Sequence, residues 1–279
     1  DLSGCLVLPG LIDLHGDGFE HHLAPRRGAL ADLRAGLASA EAELAAHGIT
    51  TAYLAQFLSW EGGMRGAGFA ARMLAALEDV RGTLATDLRA QLRLEVTGFE
   101  DYASLEEMVD RHGVGYVVFN DHLPHVALAQ GKRPPRLTGQ ALKAGRSPEA
   151  HLALLRQLHG RMPEVPDRLA ALARRLGARG VRLGSHDDHT AADRHAAHAL
   201  GARIAEFPET VAAAEAARAQ GDAVIMGAPN LVRGGSHKGN AGAREMVARG
   251  LVDALASDYH APSLARAAFC LVDAGICDL

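Results

Sequence analysis

"VLPGLIDLHGDG", residues 7–18, sets an apolar run against a polar end, with Leu11 and Ile12 leading into His15-Gly16-Asp17. Such a run reads as a buried strand. Side chains alternate along a strand, so His15 and Asp17 fall on one face. Seven more runs follow the first (6–15): "TTAYLAQF" (50–57), "QLRLEV" (91–96), "VGYVVFNDH" (114–122), "GVRLGSH" (180–186), "ARIAEF" (202–207), "AVIMGAP" (223–229) and "VDALASD" (252–258). Between them, apolar residues recur at helical spacing. In 29–48 these are Leu33, Leu37, Ala40 and Leu44, with Gly48 as the stop, and 104–113 and 167–180 behave alike. Strands alternating with helices predict parallel βαβ units. An open doubly wound sheet and a closed barrel both satisfy that pattern. No GxGxxG follows the first strand, and the strand count is eight, so the sequence predicts a (βα)8 TIM barrel, an α/β fold.

The totals suit one barrel spanning 1–279, with 48% hydrophobic and 22% charged residues and a mean hydropathy near zero. A net charge of −4 offers no basic field for nucleic acid or a membrane surface. No apolar stretch is long enough to span a bilayer and no signal peptide is visible, and Cys5, Cys270 and Cys277 read as free thiols. The expected setting is the cytoplasm, as a monomer or homodimer. One stretch breaks the rhythm: residues 123–165 form a long basic excursion after the fourth strand, expected to be a lid-like insertion or a surface elaboration.

Polar residues cluster at the carboxyl ends of the predicted strands. They are His15 and Asp17, Glu95, Asp121 and His122, His186 with Asp187 and Asp188, Glu206, and Asp258. Any one of them can be an arginine partner or a helix N-cap. Gathered at one end of one barrel, where unpaired carboxylates are costly to bury, they require positive charge among them. Divalent metal ions are the economical answer. Three imidazoles and three carboxylates suit two zinc ions, with manganese or iron as alternatives, and Glu95 is the expected bridging carboxylate. His15 and Asp17 are the expected first-strand ligands.

The segment after the seventh strand, "GAPNLVRGGSHKGN" (227–240), is rich in glycine and carries Asn230, Arg233, His237, Lys238 and Asn240. Glycines let backbone N–H groups approach an anion, and loops after strands seven and eight are common phosphate sites in barrels. A flexible connector is the bland alternative. "APRR" (24–27) adds Arg26 and Arg27.

Together these residues resemble the amidohydrolase superfamily, metal-dependent hydrolases on a (βα)8 barrel, through "VLPGLIDLH" and "HGITT". The usual His-x-His of the first strand is His15-Gly16-Asp17 here, which fits one branch. "DLHGDGFEHHLAPR", "SHDDHT", "AEFPET", "GAPNLVRGGSHKGN" and "LASDYHAPSL" look like the diphosphatases of the carbon–phosphorus lyase pathway of phosphonate catabolism. That resemblance covers nearly the whole chain. It implies hydrolysis of a phosphoanhydride in α-D-ribose 1-methylphosphonate 5-triphosphate with release of pyrophosphate. The small phosphorylated ribose is then the partner. The implied metal ligands are His15, Asp17, Glu95, His122, His186 and Asp258, with Asp258 also handling the proton of the attacking water. Two departures from the branch stand out. Lys238 sits where a small polar residue is expected, and the β-sandwich segments that flank the barrel in the family are expected to be absent from this chain. The alternative expectation is cleavage of a C–N bond, such as deacetylation of an N-acyl sugar phosphate. A second is a non-catalytic barrel that keeps metal for stability.

Overall fold

Eight parallel strands run in sequence order in the computed structural model, which describes residues 1–26, 29–30, 32–234 and 242–278. They are β1 (Leu11–Gly16), β2 (Ile49–Leu58), β3 (Asp87–Glu95), β4 (Tyr116–Asn120), β5 (Arg182–His186), β6 (Ala202–Glu206), β7 (Ala223–Gly227) and β8 (Ala254–Ala256). The helices are α1 (Glu20–Leu23), α2 (Leu33–Ala46), α3 (Ala67–Arg81), α4 (Tyr102–His112), α5 (His125–Ala129), α6 (Leu137–Lys143) and α7 (Pro148–Gly160). They continue with α8 (Val165–Ala178), α9 (Ala191–Ala199), α10 (Val211–Ala219), α11 (Ala228–Arg233), α12 (Ala243–Ala248) and α13 (Ser263–Asp273). Among the described residues no helix is long and apolar enough to cross a membrane.

The sheet closes where β8 meets β1. Gly16 and Asp258 form a parallel bridge, Asp17 N donates to Asp258 O at 2.8 Å, and Asp258 N donates to His15 O at 2.9 Å. One turn below, the buried Asp13 carboxylate accepts Ser257 N at 2.9 Å and Ser257 Oγ at 2.5 Å, fixing the register of the seam. A side chain at Gly16 would place its Cβ 2.9 Å from both Asp13 Oδ2 and Ser257 Oγ. A larger residue there would displace the Asp13–Ser257 pair that fixes the seam.

The main core lies between the sheet and its helical jacket, where Leu37, Leu74, Leu105, Leu172 and Leu231 are buried against the strands. The eight predicted strands are all present, with the largest shifts at two starts: β3 begins at Asp87, ahead of the predicted Gln91, and β1 begins late. Residues 6–10 lie outside the sheet, and pairing begins at Leu11 opposite Ile49. Pro9 has no N–H to give to a ladder, so the apolar residues ahead of it are not strand and stay exposed.

The 123–165 excursion folds as α5, α6 and α7. Its Leu123, Leu128, Leu137, Leu155 and Leu158 close around Trp60 in a small core of their own. Arg146 donates to Trp60 O at 2.7 Å, tying the excursion to the loop after β2.

Candidate functional site

The carboxyl ends of β1, β3, β4, β5, β6 and β8 bring most of the predicted polar residues into one basin. Asp121 instead pairs with His125 at 2.8 Å, and Asp188 with Ser185 and Arg194 at 2.5 and 3.1 Å. His15 leaves β1 fully buried, and its Nδ1 lies 2.8 Å from Glu206 Oε2 on β6. Glu206 is anchored in turn through Oε1, which accepts Gln91 Nε2 and Tyr116 Oη at 2.6 Å each. Burial alone would raise this carboxyl. The neighbouring His15 and His186 imidazoles and its hydrogen bonds more than offset that and hold it below the usual carboxylate range. His15 Nε2 is buried with no hydrogen-bond partner among the described residues. An imidazole fixed by a carboxylate on one nitrogen, with the other bare and buried, is the arrangement of a metal-ligating histidine. His15, His186 and Glu206 offer three ligand atoms within 4.8 Å of one another, and His122, His186 and Asp187 offer a second such trio. These donor sets fit a divalent metal ion.

The rings confirm the convergence. His15 and His186 have centroids 5.3 Å apart, and His122 and His186 6.2 Å. Phe207 packs edge-on against both His15, at 4.9 Å, and His186, at 5.1 Å. Its backbone sits at φ 52, a conformation that a bulky side chain rarely takes. Asp187 and Asp258 share that left-handed region at φ 59 and 56. Backbone strain at three strand ends around one basin belongs with a functional site.

Glu95 is fully buried and receives four donations. Oε1 accepts Asn120 Nδ2 at 2.5 Å and the His122 ring at 2.7 Å, while Oε2 accepts Trp60 Nε1 and His122 N at 3.1 Å each. These donors fill its lone pairs, so Glu95 can take a metal only as one of them gives way.

Asp17 reaches the basin beside a group the sequence reading did not weigh. Arg93, only 4% exposed, stacks on the Phe57 ring at 4.1 Å. Its Nη1 lies 3.6 Å from Asp17 Oδ2 and its Nη2 2.9 Å from His186 Nε2. Part of the positive charge demanded by the carboxylates is therefore a guanidinium. The sequence carried a signal for it, since Gln91, Arg93 and Glu95 alternate along β3 and so share the barrel interior. Burial, then Arg93, push the His186 imidazole down to about 4, which keeps it neutral and able to act as a ligand. Asp258 is pushed up to about 6 by burial and then by the Asp17 charge. A carboxyl poised there can exchange a proton near neutral pH.

Of the predicted anion contacts, Arg26 is exposed and forms a bridge with Ala29. Arg233 lies 5.9 Å from the Tyr259 ring, next to Asp258. Asn230 Oδ1 accepts Ala243 N, at the start of α12, at 3.1 Å. Arg27, His237, Lys238 and Asn240 lie outside the described residues.

No family model matches the chain. It is 37% identical over 289 residues to the alpha-D-ribose 1-methylphosphonate 5-triphosphate diphosphatase of Escherichia coli (strain K12), covering 98% of this chain and 73% of that protein. Among solved structures it is similar to an adenine deaminase from Arthrobacter aurescens, with a TM-score of 0.54 and 15% identity over 95% of this chain and 88% of that one. It is also similar to the A. niger ochratoxinase, with a TM-score of 0.53 and 14% identity over 96% of this chain and 67% of that one. At such identities the two structures speak for the barrel alone.

Proposed function

The chain belongs to the alpha-D-ribose 1-methylphosphonate 5-triphosphate diphosphatase family, and on that premise we propose that it hydrolyses a phosphoanhydride of that triphosphate. Water adds to phosphorus, the bridging P–O bond breaks, and pyrophosphate leaves behind ribose 1-methylphosphonate 5-phosphate. The observation that carries this reading is the buried, bare Nε2 of His15, braced by Glu206 and facing a basin that also holds His186 and Asp258.

His15, Asp17, Glu95, His122, His186 and Asp258 would hold two divalent ions, zinc by their mixture of imidazole and carboxylate, with manganese or iron as alternatives. Such ions supply water with a pKa near ~7 and neutralise phosphate charge. Glu206 keeps the His15 ring in one tautomer and orientation. Asp258 takes the proton of the attacking water and returns it to the departing oxygen. Arg26, Asn230, Arg233, His237, Lys238 and Asn240 receive the phosphates, charge-assisted donation being strongest from arginine. The helices of 123–165 serve as a lid within the single 1–279 domain. Support for that comes from Trp60, which carries their small core on one side and donates to Glu95 on the other.

Purified protein loaded with zinc should release pyrophosphate from the ribose 5-triphosphate and leave an N-acetyl sugar phosphate intact. Deacetylation without pyrophosphate release would replace this reading with C–N bond hydrolysis.

A further inference from the structure

A second group of metal-binding side chains lies outside the barrel mouth, on the outer side of the first βα connection. His21 and His22 are adjacent on the single turn of α1, and both aim their Nε2 atoms at one oxygen of Glu43 on α2. His22 Nε2 is 2.5 Å and His21 Nε2 3.4 Å from Glu43 Oε2. The two rings lie 4.1 Å apart, tilted by 36°. The three ligand atoms fall within 4.8 Å of one another. From these residues we propose an accessory site for one zinc-class transition-metal ion, made by His21, His22 and Glu43 and completed by solvent.

Geometry favours this over a plain surface ion pair. Glu43 Oε2 can accept from both imidazoles, but at 3.4 Å the His21 contact is long for a hydrogen bond. A divalent ion satisfies all three donors at once. Metal–ligand distances of about 2.0–2.2 Å place the donors of a tetrahedral site about 3.3 Å apart. The His21–Glu43 separation already matches that value, and His22 needs to withdraw by less than about 1 Å. Two imidazoles with one carboxylate select zinc, cobalt or nickel over magnesium or calcium, which prefer all-oxygen shells. The exposures are graded to suit an ion entering from solvent, with His21 at 60%, Glu43 at 30% and His22 at 21%.

The position gives the site a consequence. α1 begins three residues after Asp17, and Glu20 within it meets Arg65 at 3.5 Å. An ion held between α1 and α2 clamps the segment that runs from the barrel ligands to Arg26. The trio makes no use of the barrel residues, so this proposal stands or falls apart from the catalytic reading.

The test is zinc counting by equilibrium dialysis and elemental analysis on the full chain. Wild type should bind one more zinc per chain than His22→Ala/Glu43→Gln, and His21→Ala should weaken that last equivalent at least tenfold. A His15→Ala/His186→Ala variant should retain the equivalent, which separates it from the barrel ions. Cobalt should replace zinc there with the visible absorption of a four-coordinate site, and millimolar magnesium should not compete. Equal zinc stoichiometry and affinity in wild type and His22→Ala/Glu43→Gln, with both proteins folded by circular dichroism, would overturn the proposal.

Discussion

Arg93 Nη2 stands 2.9 Å from His186 Nε2, so a buried guanidinium holds that nitrogen, while Nδ1 of the same ring lies 3.3 Å from Asp187 Oδ1. A nitrogen that accepts from an arginine is not free to ligate a metal. Loading the site through that nitrogen therefore requires the guanidinium to move, and the moving charge is well placed to meet an incoming phosphate. Arg93→Met removes both the competitor and the like charge. The expected outcome is tighter zinc binding, by tenfold or more in a chelator competition, together with a loss of turnover of at least two orders of magnitude. Unchanged metal affinity would mean that Arg93 does not compete for His186.

Glu206 acts through His15. Its carboxylate is fully buried, bonded to Nδ1 and secured by Gln91 and Tyr116. Glu206→Gln preserves the volume but can leave the imidazole in either tautomer. Loss of such a supporting group typically costs 10–100-fold in metal affinity. Zinc affinity should fall within that range while the far-ultraviolet circular dichroism stays unchanged. A variant with wild-type affinity would show that the orientation of His15 is fixed by packing alone.

Asp258 carries a pH signature that can be read without substrate. Its carboxyl sits at about 6 in the fold against an ordinary value of 3.8, because burial and Asp17 oppose ionisation. The folded state therefore holds a proton that the unfolded chain has released between those two values. This contribution is full below about 3.8 and is lost as pH rises through 6, at a cost of about 3 kcal/mol once complete. Metal-free Asp258→Asn should lack this loss, so its melting temperature should gain on wild type between pH 5 and pH 7. The same variant, loaded with metal, should turn over at least two orders of magnitude more slowly, as expected when an acid–base group is removed. Full turnover with metal bound would assign the proton to another residue.

The eight strands were legible because each pairs an apolar run with a polar terminus, and that local pattern decides where a barrel places its chemistry. The start of β1 was misread because hydrophobicity alone does not register that Pro9 cannot enter a ladder. Convergence of His15, Glu95, His122 and His186 followed from topology once the barrel was inferred. Pairings did not. Glu206 was visible as a strand-end acid, but its bond to His15 spans 191 positions and no spacing rule reaches so far. Arg93 was hidden inside an apolar run, where only its parity with Gln91 and Glu95 pointed inward. Phe207 is only the last residue of the sixth apolar run in the sequence, and its role against two imidazoles depends on a positive φ that composition does not reveal.

His151 on α7 offers a test of how the excursion is held. Its side chain is fully buried against Trp60, with ring centroids 5.9 Å apart, and neither ring nitrogen has a hydrogen-bond partner among the described residues. Burial, then the nearby Arg146 charge, lower its pKa below the ordinary 6.5, with Glu61 opposing weakly. The folded state thus holds His151 neutral, whereas the unfolded chain takes up a proton as pH falls below about 6.5. Stability from this residue is therefore intact above that value and is lost progressively on acidification towards the lowered folded pKa. His151→Leu removes the titrating group and two unsatisfied nitrogens from an apolar cluster. Its melting temperature should match or exceed that of wild type at pH 7.5, and the gap in its favour should widen by several degrees at pH 5. Parallel melting curves across that interval would show that His151 escapes to solvent on protonation. In that case α5–α7 would open far more readily than their packing on Trp60 implies.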